Sequence, residues 1–492
     1  MMSSKLKKSL LLLVGIPILI YTLSNCSMGP DFQKPEVETP AQYRYDSLKV
    51  DSVAVLKWWD LFNDPVLDTL IITALRENKD LLIAISRIEE ARARLGFTGA
   101  DQYPKLDIKA DALRGNLNAK QLGVEQTGNA FFIGPVLSWE IDFWGKFRRA
   151  TESARAQLLA SEFSLRTVQI SLISEVISTY FLMVDYRQRL EIAKNTLVAR
   201  EKSLNIIQHR FDKGIVAEID LNQSQIQKEI AAVAIPIFER LSAQTENALR
   251  ILLGKLPGEI KQGYPLHDQL IPPPIPTGLP SDLLVRRPDI AEAEYLLMAQ
   301  NANIGVAVAK MFPSISLTGL LGLASNDLST LTDGSAAWSL SGGLLGPLFN
   351  FNKNTLRVEI EEARTEQALY KYENTVLNAF REVEDALIEV ETFKRQLAAK
   401  QRQFNAAKNA ENLSQQRYDQ GVTSYLEVLE SQRSSFSAEL ELSEVKKDYL
   451  NAYVKIYKAL GGGWVSVEEM QEAEKQTEMD EELLNSDDEN GK

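Results

Sequence analysis

From Phe147 to Phe211, apolar or small side chains recur at alternating steps of three and four. They run through Ala154, Leu158, Ser161, Leu165, Val168 and Leu172, then Thr179, Met183, Tyr186, Leu190, Ala193, Leu197, Leu204, Ile207 and Phe211. This is a coiled-coil seam. With no proline or glycine inside it, the run predicts one helix of about nine heptads. At about 1.5 Å per residue it would reach on the order of 95 Å, roughly three times the hydrocarbon thickness of a bilayer. The run ends at Asp212-Lys213-Gly214, where glycine can adopt the left-handed conformation that stops a helix. A second helix is predicted to return from about Asp220 to Leu253 and to stop at Gly254. A second long run extends from about Thr355 to Tyr418 through Ile360, Ala363, Phe380, Val383, Leu387, Val390, Leu397 and Phe404. It too turns at a glycine, Gly421, and comes back to Leu460.

Ahead of each long helix the period changes from helix to strand. In Lys105 to Leu113, Leu106, Ile108, Ala110 and Ala112 alternate with Lys105, Asp107, Lys109 and Asp111. From Ile133 to Phe143, Ile133, Leu137, Trp139, Ile141 and Phe143 share one parity, and Pro135 among them is expected to mark a bulge or bend. Two further strands are predicted at Ser314 to Ser325 and Ala336 to Leu348. Ile315, Leu317, Leu321 and Leu323 form one face of the first, and Trp338, Leu340 and Leu344 one face of the second. Shorter helices start near Trp58-Trp59 and Asp64-Pro65 and continue from Leu81 to Phe97.

The scheme occurs twice. A shift of 209 places Asp80, Gly96, Pro104, Glu152, Ala154 and Arg155 on Asp289, Gly305, Pro313, Glu361, Ala363 and Arg364. A shift of 207 places Arg210, Phe211, Asp212 and Gly214 on Arg417, Tyr418, Asp419 and Gly421. The chain is therefore an internal duplication, with the proline-rich run from Pro272 to Pro280 between its halves.

The chain begins with a basic stretch (Lys5, Lys7, Lys8), an apolar run from Leu10 to Leu23 and then polar residues, which is the layout of a secretory signal. Leu23-Ser24-Asn25-Cys26 resembles the lipobox of bacterial lipoproteins, in which the cysteine carries the lipid; Asn25 replaces the usual Gly or Ala. Ser27, where an aspartate would retain such proteins at the inner membrane, permits sorting to the outer one. Of the net charge of -13, residues 465–492, with eleven acids and two bases, carry most. The rest of the chain is only mildly acidic, which argues against a nucleic-acid partner. One cysteine and two histidines, His209 and His267, cannot make an intramolecular disulfide or a Cys/His metal cluster. No nucleophile, base or metal constellation stands out, so no enzyme activity, cofactor or metal is expected.

Four strands cannot close a barrel, because a bilayer tolerates no open sheet edge and single-chain barrels need at least eight. Subunits must pool strands. Two chains would give eight strands and a filled interior, whereas three give twelve and a water-filled lumen that twelve helical strands can continue as a tube. The fold class expected is thus an α+β membrane protein: a trimeric 12-stranded β-barrel, four strands per chain, continued by a long α-helical coiled-coil barrel, which the lipobox-like start and the family resemblance of the chain would place as an outer-membrane β-barrel with periplasmic helices. A soluble β-sandwich is the competing fold, and a lipid-anchored structural coiled-coil protein of the periplasm is the competing function.

Nearly all of the chain from Cys26 to Trp464 resembles the TolC-like outer-membrane efflux proteins, specifically the lipoprotein (NodT-type) outlets of resistance-nodulation-division pumps. The resemblance is carried by Gly29-Pro30-Asp31, Trp58-Trp59 with Leu61-Phe62 and Asp64-Pro65, and Arg287-Pro288-Asp289-Ile290. Phe312-Pro313-Ser314, Glu382-Val383-Glu384-Asp385-Ala386-Leu387 and Tyr457 to Trp464 complete it. It implies a passive exit duct of a tripartite efflux pump in the outer membrane of a Gram-negative bacterium, working with a periplasmic membrane-fusion adaptor, an inner-membrane transporter of the resistance-nodulation-division class and outer-membrane lipids. An outlet for type I secretion is the alternative. Multidrug resistance is one role of such ducts, but the cargo is not legible. The implied organisation is a signal peptide (1–25), a lipid-anchored extended segment (26–63), a first repeat (64–271), a proline-rich linker (272–280), a second repeat (281–464) and an acidic tail (465–492). Within the repeats lie strands at about 105–143 and 314–348 and hairpins at about 147–254 and 355–460. By the same resemblance Cys26 carries lipid. Arg210, Gly214, Ile215 and Val216, with Arg417, Gly421, Val422 and Thr423, would meet the adaptor at the hairpin tips. Asn205, Asn412, Gln415 and Asp419 are candidates for the periplasmic gate.

Overall fold

The computed structural model describes residues 27–45, 58–116, 127–273, 280–333 and 335–462. The signal peptide, Cys26, the acidic tail and most of the proline-rich linker lie outside them. Among the described residues, seven helices longer than two turns occur in chain order: α1 (Pro65–Glu77), α2 (Lys79–Ala100), α3 (Lys146–Asp212), α4 (Glu218–Leu252), α5 (Pro288–Ala309), α6 (Lys353–Asp419) and α7 (Tyr425–Ala459). Four strands accompany them: β1 (Lys105–Asn116), β2 (Thr127–Ile141), β3 (Ser314–Ser325) and β4 (Ser335–Leu345). Both long helices run to 67 residues, within two residues of the predicted bounds. The two returning helices are 35 residues each, and α4 continues through Pro236.

The chain divides into two compact units, each drawing on both repeats. One takes Met1–Glu36, Arg87–Glu162 and Glu292–Glu373; the other takes Val37–Ser86, Phe163–Ala291 and Asn374–Lys492.

The first unit holds the sheet, ordered β1-β2-β3-β4 and antiparallel throughout. Its register is uninterrupted against β1: Ile108 faces Pro135 and Lys109 faces Gly134 with no residue inserted. The expected bulge at Pro135 is therefore absent. Pairing of β2 with β3 instead skips Gly134 and Pro135, between Ile133↔Leu323 and Val136↔Leu320, and resumes in the same register. Proline has no amide hydrogen to donate, so the ladder has a gap there without a change in side-chain parity.

In the second unit, a short 3-10 turn, Trp58–Phe62, inserts Trp58, Trp59 and Phe62 into the main core. Trp58 stacks on Tyr457 with ring centroids 4.7 Å apart, and Phe62 meets Phe181 edge-on at 5.0 Å. Asp64 begins α1 as its N-cap: its Oδ1 accepts from the amides of Val66 (3.0 Å) and Leu67 (3.4 Å), and Pro65 takes the first helical position. Its Oδ2 accepts from the Tyr180 hydroxyl (2.6 Å) and the Gln269 amide (2.8 Å). Thus one buried carboxylate ties α1 to α3 and to the segment after α4. Burial, then the hydrogen bond to Asp64, pushes the Tyr180 phenol well above its ordinary pKa. Because Trp58–Phe62 and α1 pack into the same core as α3, burial at residues 170–184 is wider than a heptad seam: Ile173, Val176, Ile177, Tyr180, Phe181 and Val184 join Leu172 and Met183 in the core.

Arg287 explains one of the motifs. Its guanidinium, 7% exposed, donates to Asp289 (2.6 and 3.0 Å), to Glu382 (2.8 Å) and to the carbonyl of Ala459 (2.9 Å) at the end of α7. A planar five-donor fork suits this set; an ammonium could not span it.

Candidate conduit wall and hairpin tips

Because every strand pair keeps one register, side-chain parity carries across the whole sheet. One face presents Leu106, Ile108, Ala110 and Ala112 of β1 and Phe131, Ile133, Pro135, Leu137, Trp139 and Ile141 of β2. It continues with Ile315, Leu317, Gly319, Leu321 and Leu323 of β3 and Ala336, Trp338, Leu340, Gly342 and Leu344 of β4. The other face carries Lys105, Asp107, Lys109 and Asp111, Ser138 and Glu140, Ser314, Ser316 and Thr318, and Ser339, Ser341 and Gly343, with Leu113, Phe132, Val136, Leu320 and Leu345 among them. Ile108, Leu321, Trp338, Leu340 and Leu344 are exposed in the single chain. A largely apolar sheet face, exposed or half-exposed in the single chain and backed by a more polar one, suits lipid on one side and water on the other. β1 and β4 each have one strand partner, so both outer edges remain open for pairing. α3 is also long and apolar enough to cross a membrane, yet 61% of its apolar window is buried inside the protein, so the lipid-facing surface is that of the sheet.

The segment after Cys26 is docked, not loose. The Met28 amide donates to the Trp144 carbonyl (3.2 Å), and Ser27 packs against Gly145, four residues beyond the end of β2. Gly29, at φ +89°, lies so close to Gly305 that a Cβ would come within 2.5 Å of its Cα, so neither position accommodates a side chain. Arg149 then locks the segment, donating to the Met28 carbonyl (3.1 Å), to Asp31 (2.7 Å) and to Glu152 (2.9 Å). Lys34 pairs with Glu294 at 2.6 Å.

The two hairpin tips share one geometry. At the first, the Gly214 amide donates to the Phe211 carbonyl (2.7 Å) and the Ile215 amide to the Arg210 carbonyl (2.9 Å). At the second, the Gly421 amide donates to Tyr418 (3.0 Å) and the Val422 amide to Arg417 (2.9 Å). Both glycines have φ +72° and stand in open space. This is the Schellman pattern that satisfies the last carbonyls of a helix. It leaves Ile215 and Val422 about two-thirds exposed at the apex of each turn, with Gly214, Gly421 and Arg417 also exposed and Val216, Thr423 and Arg210 half-buried. A small core of Ile207, Tyr425, Val428 and Leu429 holds the two hairpins together, with Val216 and Tyr418 against it.

Among the gate candidates, Asn205, Asn412 and Asp419 are exposed and Gln415 is half-buried. The structure brings two of them together: Gln415 donates to both oxygens of Asp419 at 3.2 Å. Asp419 also pairs across the hairpins with Arg210 at 3.4 Å, and that guanidinium sits 5.1 Å from the ring centroid of Tyr418. Arg417 pairs with Glu427 at 3.3 Å, while Asp212 accepts from Gln208 at 2.8 Å. Sequence reasoning missed Arg200, a buried cation one helical stretch before the tip, which donates to Gln227 (2.9 Å) and to the side chain (2.8 Å) and carbonyl (2.9 Å) of Gln432. Burial lowers its pKa, and no carboxylate touches it. Among the described residues, no group of three His, Cys, Asp or Glu is placed to hold a metal ion.

Comparison with known proteins converges on this architecture. The family model described as outer membrane efflux protein matches residues 70–255 and 279–462. The solvent efflux pump outer membrane protein SrpC of Pseudomonas putida is 37% identical over 454 residues, covering 90% of this chain and 96% of SrpC. The probable outer membrane lipoprotein SilC of Salmonella typhimurium is 34% identical, covering 91% of this chain and 97% of SilC. The solved structure of the Campylobacter jejuni CmeC outer membrane channel superposes with a TM-score of 0.83 at 29% identity, over 92% of this chain and 98% of that one. The apolar sheet face, the duplicated helical hairpins and these matches together identify the chain as a member of the outer membrane efflux protein family.

Proposed function

We propose that three copies of this outer-membrane channel pool their sheets, β4 of one pairing with β1 of the next, to close a 12-stranded barrel whose polar face lines the export path. The observation that carries this reading is a sheet face that is apolar from Leu106 to Ala112 and across its partners, bounded among the described residues by two edges without a strand partner: a bilayer admits a sheet only when its edges close on one another. Eight strands would leave an interior filled by side chains, whereas twelve leave room for water and cargo. The duct works as the last component of a tripartite efflux pump; the driving energy comes from an inner-membrane transporter of the resistance-nodulation-division class. Cysteines introduced at facing positions of β1 and β4 should cross-link one copy to the next only in the membrane-inserted trimer; a monomer with no such link would overturn the closure.

Lipid on Cys26 fits this placement. Ser27 sits beside Gly145 at the end of β2, so an acyl chain attached one residue earlier would emerge where the sheet leaves the bilayer. Mass spectrometry of the mature protein would detect the lipid, and its absence would remove the anchor. At the opposite ends of the hairpins, Arg210, Gly214, Ile215 and Val216, with Arg417, Gly421, Val422 and Thr423, form the surface for the adaptor. The exposed apolar pair Ile215 and Val422 supplies the contact, and the flanking arginines set its orientation. The link from Arg210 to Asp419, braced by Gln415, holds neighbouring hairpins together and closes the periplasmic end, with Asn205 and Asn412 on the same approach. The link is partly exposed, hence worth no more than about 1 kcal/mol per copy, a size that adaptor binding readily overcomes.

A further inference from the structure

At the end of the sheet where β2 gives way to α3 and β3 begins, a cavity of about 460 Å³ is lined by three cations, Lys146, Lys310 and Arg357, together with Trp144 and Phe312. The two rings stack at 4.5 Å and make a stiff wall. The carboxylates that line the cavity are already engaged. Asp142 accepts the amides of Phe147 (3.0 Å) and Arg148 (2.8 Å) at the start of α3 and pairs with the Arg148 side chain. Glu140 pairs with Lys146. The nearby Glu361 is held by Gln300 (2.6 Å) and Arg364 (2.8 Å). Arg357 donates only to the neutral Asn354 (2.8 Å), and among the described residues the Lys310 ammonium has no hydrogen bond or ion pair. Partial burial, then the charges of Arg357 and Lys146, lower the Lys310 pKa. Two cations thus face one hollow and repel each other, offset only in part by the charge of Glu361, a cost that a bound anion would reduce.

We propose that this cavity binds a phosphate-class oxyanion, with Lys310 and Arg357 as its direct partners. The planar Arg357 fork matches two oxygens of a tetrahedral anion and Lys310 supplies a point charge. Glu140, Ser314 and Leu345 in the lining share the polar register of the sheet, so the site borders the face that, on the channel reading it rests on, lines the lumen. Such a station would hold acidic solutes where the tunnel meets the barrel. The same chemistry would accept the phosphate of a lipid headgroup.

Two titrations separate these sources. In delipidated full-length protein, inorganic phosphate should bind saturably, and Lys310→Gln or Arg357→Gln should weaken it about tenfold or more, the scale of one lost charge-assisted hydrogen bond. Lys310→Arg should retain binding, and Lys228→Gln on α4 should leave it unchanged. In nanodiscs, retention of phosphatidylglycerol by the native protein and its loss in the same two variants would place the phosphate on lipid instead. If neither ligand responds to either variant while the protein still runs as a heat-stable conducting trimer, the site is refuted and the channel reading stands. Loss of trimer and conductance in the native protein would sink the channel reading instead.

Discussion

Leu340 and Ser341 are adjacent in the chain and lie on opposite faces of the sheet, which makes them a sharp test of the wall. Leu340 sits mid-strand in β4 and ends a row that crosses the sheet through Gly319 and Leu137 to Leu106; Ser341 ends the next row, through Thr318 and Ser138 to Lys105. If the first row faces hydrocarbon near its middle, an arginine at Leu340 costs about 2–4 kcal/mol in each copy, hence roughly 6–12 kcal/mol in a trimer. The same residue at Ser341 projects into water and loses only a long 3.4 Å hydroxyl contact to the Thr318 carbonyl, about 1 kcal/mol or less. Leu340→Arg should therefore lower the yield of heat-stable trimer in the outer membrane and shift its thermal dissociation down by many degrees. Ser341→Arg should assemble normally and reduce single-channel conductance by adding bulk and charge to the lumen. Equal assembly of the two, or a conductance change at Leu340 with normal assembly, would refute the assignment of faces.

Removing the Arg287 guanidinium with Arg287→Met leaves the partly exposed Asp289 and Glu382 and the Ala459 carbonyl without that donor and should destabilise the protein by about 1–3 kcal/mol, read as a loss of thermal stability. Gly421→Val meets no neighbour but forces φ +72° on a β-branched residue; it should cost about 1–2 kcal/mol locally, seen as faster amide exchange at Val422 with the barrel unaffected. Asp68 is half-buried beside Asp60 and Asp64, and burial first, then those charges, push its pKa up to about 6. Since the folded value exceeds the unfolded one, its contribution is fully present below about pH 4 and is lost as pH rises through 6, so Asp68→Asn should raise thermal stability near pH 7 and make no difference near pH 4. Arg210→Ala or Asp419→Ala should raise single-channel conductance, and unchanged conductance would remove that pair from the constriction.

Elements with a sustained period were legible in the sequence. The long helices, their glycine stops and the alternating strands each repeat one local rule many times, so no single residue could mislead. Features resting on one residue and a distant partner were not. Gly29 and Gly305 stood out as parts of motifs, yet only the fold shows that their backbones touch. The same holds for Asp64, whose N-cap role follows from the proline after it while its bonds to Tyr180 and Gln269 cross more than a hundred positions. At Pro135 the bulge that was one of two expected outcomes is not needed, because the strand keeps its parity and forgoes the pairing where the proline lacks a donor. At the tips, periodicity located the turns and the duplication marked Arg210 and Asp419 as significant, but not that they pair with each other.

Duplication explains why that pairing is unequal. A repeat with Arg and Asp two positions apart offers the same two charges at each tip, Arg210 with Asp212 and Arg417 with Asp419. Two equivalent hairpins side by side in one chain can join only one arginine to one neighbouring aspartate in a given direction, and here that is Arg210 with Asp419. The other two charges fall back on their own hairpins, Arg417 on Glu427 and Asp212 on Gln208. In the proposed ring of three copies the direction would repeat, leaving Arg417 of each chain toward the next chain's first hairpin. Its partner there would be the residue equivalent to Asp419, which the repeat makes Asp212. A surface pair is worth about 1 kcal/mol or less, so exchanging Glu427 for a neighbour's aspartate is nearly neutral. Near-neutral exchange would suit a reversible aperture between copies: in the proposed trimer, hairpins of neighbouring chains can trade weak partners of the same charge while the buried contacts of Ile207 with Tyr425, Val428 and Leu429 hold the two hairpins of one chain together.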